Sequence, residues 1–215
     1  FNDKINKNFQ TNRNSTVQRI IPLSFVDHLA ELRNFLKIRK ARALLAGGTL
    51  LGWYRECSLI THTKDVDFFI PIDNYSASLL ADLDSRDSPY TVSRIYGTPS
   101  DSLELTVKVK ATPVVSIDLF FVYTNSNESY VGGLEWNRRK KYKWTYPRMT
   151  SFCTADLLSH LFNVPCNVKE LLETEYGNWQ QETRTDRFKW NKSHRNVQQN
   201  GVWTAEEMQK MRPAG

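Results

Sequence analysis

Residues 114–122 read Val114, Val115, Ser116, Ile117, Asp118, Leu119, Phe120, Phe121 and Val122, an apolar run with one carboxylate inside it. Such a run suits a strand covered on both faces. A lone carboxylate buried there costs several kcal/mol unless a cation or hydrogen-bond donors compensate it. The structural alternative is a buried ion pair with an Arg or Lys. About fifty residues earlier stand Asp65, Val66 and Asp67. On a strand, positions i and i+2 leave the same face, so both carboxylates point one way while Val66 and Phe68 take the other. Ahead of them, Gly47, Gly48 and Thr49 read as a Gly-rich turn opening a helix. Glycines let backbone approach a ligand, and the free N–H groups of a helix start suit phosphate. Hard cations such as Mg²⁺ take a few carboxylate oxygens together with phosphate oxygens. Each part has a plainer reading: a Gly pair as a simple turn, an Asp-x-Asp as a solvated turn or cap. In this order and spacing they point to a metal-held pyrophosphate.

The residues from Gly47 through Leu50, Leu51, Gly52, Trp53, Tyr54 and Arg55, then Asp65-Val66-Asp67, then Ile117 to Phe121, resemble the fukutin/LicD family of nucleotidyltransferase-fold enzymes, nearest its fukutin branch. The likeness continues through Asp101 to Leu105, Val164-Pro165-Cys166, Glu175-Tyr176-Gly177 and Asn200 to Trp203, covering most of the chain after about residue 40. One departure is Ile60-Thr61-His62, where the family reads Ile-Pro. The resemblance implies an α/β (α+β) nucleotidyltransferase (polymerase-beta-like) fold, a mixed sheet flanked by helices. It also implies transfer of a phosphate-linked alcohol or polyol from a CDP-activated donor to a glycan hydroxyl. CDP-ribitol and CDP-choline are both donors of this kind, giving ribitol phosphate or phosphorylcholine products. Further implications are a Golgi-lumenal setting and an N-terminal membrane anchor outside this chain.

On this reading Asp65, Asp67 and Asp118 are the catalytic and metal-ligating residues, holding Mg²⁺ or Mn²⁺, and Asp118 doubles as general base if the metal leaves it free. Gly47, Gly48, Thr49, Arg55 and Lys64 are the donor-binding set, although Arg55 and Lys64 also read as ordinary surface cations. The glycan acceptor completes the reaction. His62 lies three residues before Asp65 and either touches the site or sits on a loop. Asp101 and Glu104 either offer supporting hydrogen bonds or simply occupy a turn and the surface of a strand. Tyr176 and Trp203 either stack on a base or sugar, or pin the tail to the body.

A formal charge of +6 and a pI of about 9.2 favour anionic ligands, or are simply a solubility surplus. With 40% hydrophobic residues the chain is globular rather than disordered. No apolar run reaches the roughly 18 residues of a membrane span. Sequons at Asn14, Asn74, Asn127 and Asn191 fit a secretory protein. Of the cysteines, Cys153 and Cys166 can close a short loop in an oxidising lumen, leaving Cys57 free and buried. Reduced cysteines, or a zinc site with His160, are the competing accounts.

Polar composition predicts a flexible segment over residues 1–20, and the resemblance implies a single domain over 21–215, with a core over about 41–150 and a helical, partly irregular annex over about 151–215. Ser24 is read as the cap of a helix carrying Phe25, Leu29, Leu32 and Leu36. Strands are expected at 43–46, 66–70, 90–95, 103–109, 114–123 and 142–146. Helices are expected at 49–54, 73–83, 154–162 and 168–176, with a turn-rich link at 125–133. Two rivals stand beside the enzyme: a nucleic-acid nucleotidyltransferase, for which no RNA-binding motif is visible, and a catalytically silent glycan-binding or scaffolding module.

Overall fold

The computed structural model describes residues 18–182 and 187–213. The first helix, α1 (Phe25–Ile38), buries Phe25, Leu29, Leu32 and Leu36 as their spacing requires. Ser24 occupies the cap position, but its hydroxyl makes no capping bond. Its own backbone is already helical (φ −61, ψ −16), so the side chain is not turned back over the first turn as an extended cap residue would be. Most of the segment expected to be loose, residues 1–17, lies outside the described residues. Residues 19 and 20 are tied down: Arg19 donates to the Leu59 carbonyl at 2.8 Å and the Ile20 N–H to that of Thr61 at 3.2 Å.

Strand β1 (Leu44–Leu45) leads straight into α2 (Gly47–Glu56), so the glycine pair forms the first turn of the helix itself. Strand β2 (Asp65–Pro71) includes both aspartates, and Val66 and Phe68 on its other face are fully buried. Helix α3 (Ala77–Leu83) begins later than expected, since residues 72–74 form a separate 3₁₀ turn and Ser76 supplies the cap. Strands β3 (Tyr90–Thr98), β4 (Asp101–Val109) and β5 (Thr112–Thr124) follow the period-2 pattern.

After β5 the structure departs from the sequence reading in three places. The link over 125–133 shortens to a turn, and β6 (Ser129–Glu135) pairs with β7 (Lys140–Tyr146). Gly132 and Gly133 are strand residues here because the neighbours press close: a Cβ would lie 2.0 Å from Ser102 Oγ at the first and 2.7 Å from Trp144 at the second. The helix expected at 154–162 is instead a hairpin of β8 (Phe152–Leu157) and β9 (His160–Pro165). Ala155, Leu157, Phe162 and Val164 are its buried alternation, and Leu158 and Ser159 make the turn with φ of 52° and 71°. Two residues at positive φ are the mark of a type I′ turn, yet neither is the usual Gly or Asn. Helix α4 (Val168–Tyr176) stands as expected. The tail forms β10 (Val197–Val202), a polar edge strand on β7, and a short α5 (Ala205–Gln209).

Along the sheet the order is β10-β7-β6-β5-β2-β1-β9-β8, with β3 and β4 branching from β5. The length of β5 permits the branch: β4 pairs antiparallel with its residues 112–120, β6 with Tyr123 and Thr124, and β2 runs parallel along the other edge. The larger core packs Leu29, Phe68, Leu105, Leu119 and Phe162 together, and Phe69, Val122, Trp144 and Leu171 form a second cluster. Cys153 and Cys166 are disulfide-bonded with Cα atoms 5.0 Å apart, which uses up both cysteines of the alternative zinc set. Cys57 is a free, half-buried thiol ending α2 in the left-handed conformation. Replacing Cys153 and Cys166 by Ala together is expected to lower stability by about 3 kcal/mol, the loop-closure value for this separation. Guanidinium midpoints of the oxidised parent and the double variant measure it. Among the described residues no helix is long and apolar enough to cross a membrane.

Candidate active site

The parallel pairing of β2 with β5 sets Asp67 opposite Asp118 and Asp65 opposite Ser116. Equal register in neighbouring strands puts partners on one face, so Asp67 and Asp118 are side by side with Asp65 two residues along. The start of α2 is held against this pair. The Gly48 N–H donates to Asp67 Oδ2 at 3.1 Å, and the Asp67 N–H donates to Thr49 Oγ1 at 2.9 Å. Gly47 sits at φ +45, where a Cβ would lie 2.7 Å from Asp67 Oδ2. Only glycine reconciles that backbone with that approach. The glycine turn therefore presents helix N–H groups beside the carboxylates.

The five donor-binding candidates separate. Gly47, Gly48 and Arg55 line a cleft of about 730 Å³ together with Asp65, Asp67 and Asp118. Thr49 is buried and spends its hydroxyl on the strand, and Lys64 is exposed outside the lining, so neither faces the cleft. Arg55 is ion-paired to Glu56 at 2.6 Å and donates to the Trp179 carbonyl at 3.3 Å. His62 reaches the cleft edge and pairs with Glu182 at 3.3 Å. Trp203 is not a stacking surface: it is 1% exposed and packs with Leu134 and Met211.

A cation of the kind named as the alternative partner of Asp118 is present, half-buried at the cleft. Arg94 Nη2 meets Asp118 Oδ1 at 3.1 Å and also bonds Glu104 Oε1, while the Thr106 hydroxyl donates to the same Asp118 oxygen. Sequence reading missed Arg94. Its signal was the polar face of β4, where Thr106 pairs with Asp118 and Glu104 lies two residues away on that face. Such polar residues in a branch strand needed a cationic partner. Arg94 does not neutralise the site, however. Asp65, Asp67, Glu104, Asp118 and Glu175 all line the cleft, and burial holds His194 below its ordinary pKa despite the nearby Glu175 carboxylate. Burial, then the charges of Asp65, Asp118 and Glu175, pushes the Asp67 carboxyl well above the usual range, against the Gly48 N–H. Burial also raises Asp118, opposed by Arg94 and Thr106. Burial, opposed by Arg94, brings Glu104 to about 7.

The opposite wall comes from the tail of the chain. Tyr176, Trp179, Phe188 and Trp190 line it. Beneath them Trp144 Nε1 donates to His194 Nδ1 at 2.6 Å, and the Tyr146 hydroxyl donates to buried Glu175 at 3.1 Å. Among the described residues no three His, Cys, Asp or Glu side chains already stand within ligating reach of one point. The donor chemistry nonetheless suits a hard divalent ion. Asp65, Asp67, Glu104, Asp118 and Glu175 offer the cleft carboxylate oxygens, the ligand type that a hard divalent ion prefers.

The family described as LicD/FKTN/FKRP, nucleotidyltransferase domain, matches residues 40–167. Two uncharacterized Caenorhabditis elegans proteins, T07A5.1 and W02B3.4, are each 38% identical, over 188 and 186 residues, covering 85% and 84% of this chain and 49% and 48% of theirs. The human protein named ribitol-5-phosphate transferase FKTN is 35% identical over 164 residues, 76% of this chain and 34% of its own. The chain thus spans about half or less of the length of these relatives. The matched segment contains β2, β5 and the glycine turn with all three aspartates, and the chain belongs to the LicD/FKTN/FKRP nucleotidyltransferase-domain family.

Proposed function

We propose that the cleft transfers a phosphate-linked polyol from a CDP-activated donor to a glycan hydroxyl, with Mg²⁺ or Mn²⁺ bound by Asp65, Asp67 and Asp118. The observation that carries the reading is the register that sets Asp67 beside Asp118 on one face, against the start of α2. The named activity of the FKTN relatives supports ribitol phosphate as the transferred group. When bound, the cation supplies charge neutralisation at the diphosphate and lowers the pKa of the attacking hydroxyl. Gly47 and Gly48 admit phosphate oxygens close to backbone N–H groups. Arg94 and Thr106 both occupy Asp118 Oδ1, so Asp118 is poorly placed to receive the hydroxyl proton through that oxygen. The aromatic wall excludes water from the transfer. The disulfide favours an oxidising lumen, in keeping with a Golgi setting and a membrane anchor outside this chain.

The Arg94 contact to Asp118 favours a second reading, a glycan-binding module without catalysis. Thermal stabilisation by CDP-ribitol, CDP-glycerol, CDP-choline and CDP-ethanolamine, each with Mg²⁺ or Mn²⁺, separates the two. A ligand at a hundred times its dissociation constant adds about 2.7 kcal/mol, which is about 5–10 °C for a chain of this size. The largest shift is expected with CDP-ribitol, and a larger one with CDP-choline would reassign the donor to phosphorylcholine. Silence across all four compounds would leave only the binding module.

A further inference from the structure

We propose that Arg94 is the phosphate-contacting arginine of this cleft, held by Glu104 and Asp118 until the substrate arrives. The inference deepens the transferase reading by assigning a diphosphate contact that the glycine turn alone does not supply. Both side-chain hydrogen bonds of Arg94 run from Nη2, one to Glu104 and one to Asp118. Its Nε is buried and has no hydrogen-bond partner. A guanidinium is a planar fork of five donors, so two carboxylates sharing one nitrogen leave most of the fork unused. Leaving a buried donor unmatched is unfavourable and calls for an explanation.

A phosphate provides one, since its oxygens match two N–H groups of the fork in parallel. The placement also fits. Arg94 lines the cleft, its side chain is 23% exposed, and the guanidinium lies over the Tyr96 ring, 4.8 Å from its centre. The other cations predicted for this role are committed elsewhere: Arg55 to Glu56 and the Trp179 carbonyl, Lys64 to the outer surface. Glu104 and Asp118 compete for Arg94 with any incoming anion, so weakening their hold strengthens anion binding.

Calorimetric binding of magnesium pyrophosphate tests this without requiring the true donor. Removing Arg94 alone strands two buried carboxylates, so Arg94→Met is combined with Glu104→Gln to preserve the fold. The folded double variant is expected to bind pyrophosphate at least tenfold more weakly than the parent, and Glu104→Gln alone to bind it more tightly. Arg94→Lys keeps the charge but not the fork and falls between. A purely structural Arg94 predicts no change in the double variant, and affinity within twofold of the parent there overturns the proposal. So does a parent that does not bind pyrophosphate. A parent that binds pyrophosphate but no CDP compound leaves Arg94 assigned while the donor reading falls.

Discussion

Asp67→Asn is expected to reduce transfer by about 10³-fold or more while leaving the protein as stable as the parent or more so. On the proposed transferase reading the catalytic loss follows from removing a charge that would hold cation and diphosphate together, an interaction of several kcal/mol. The stability gain follows from linkage. The folded pKa of Asp67 is raised by burial and by Asp65, Asp118 and Glu175. A carboxyl with a raised folded pKa contributes stability that is complete below its unfolded pKa and is lost as pH rises through the folded value. At neutral pH the parent has therefore lost part of that contribution, and the amide restores it while still accepting from the Gly48 N–H. The difference in melting temperature is expected to vanish below about pH 4, near the unfolded carboxylate pKa. Release of cytidine monophosphate and melting curves at pH 4 and 7 measure the two effects. A stable Asp67→Asn protein with full turnover would end the assignment of Asp67 to catalysis.

The parts of this site legible in the sequence were those with strong local patterns. Asp118 stood out because eight residues around it bear no charge, and Asp65 and Asp67 because period 2 fixes their face. The shared register of β2 and β5 was not readable, because the acids stand at the start of β2 and in the middle of β5. Arg94 was hidden. It reaches Asp118 across β4, through a pairing that carries register shifts between Val92 and Arg94 and between Tyr96 and Thr98. Alternation cannot be counted across such shifts. The β8–β9 hairpin was misread because Ala155, Leu158 and Phe162 also fit a helical spacing, and a short apolar run supports either period. Glu175, Tyr146 and His194 meet only in three dimensions, from α4, β7 and the tail.

Trp203→Ala is expected to destabilise the protein by about 3–5 kcal/mol, the range for truncating a large buried aromatic. At 1% exposure Trp203 is the largest of the fully buried side chains. Its backbone N–H donates to the Arg139 carbonyl at 2.8 Å, and Lys141 Nζ lies 3.8 Å from the ring centre while pairing with Asp101. The ring thus ties β10 and the tail to β7 and, through Lys141, to the start of β4. Its packing also supports Tyr96 and Trp136, stacked at 5.6 Å, which line the cleft beside Arg94. Chemical denaturation should show a lower midpoint, whereas Trp203→Phe, which keeps most of the volume, should lose considerably less. The competing role, a platform for a base or sugar, makes the opposite forecast: unchanged stability with weakened donor binding. A residue this deep cannot touch a ligand without the tail first lifting off the sheet, so any loss of affinity in folded Trp203→Ala should come through Tyr96 and Trp136, which it supports, and remain secondary to the loss of stability.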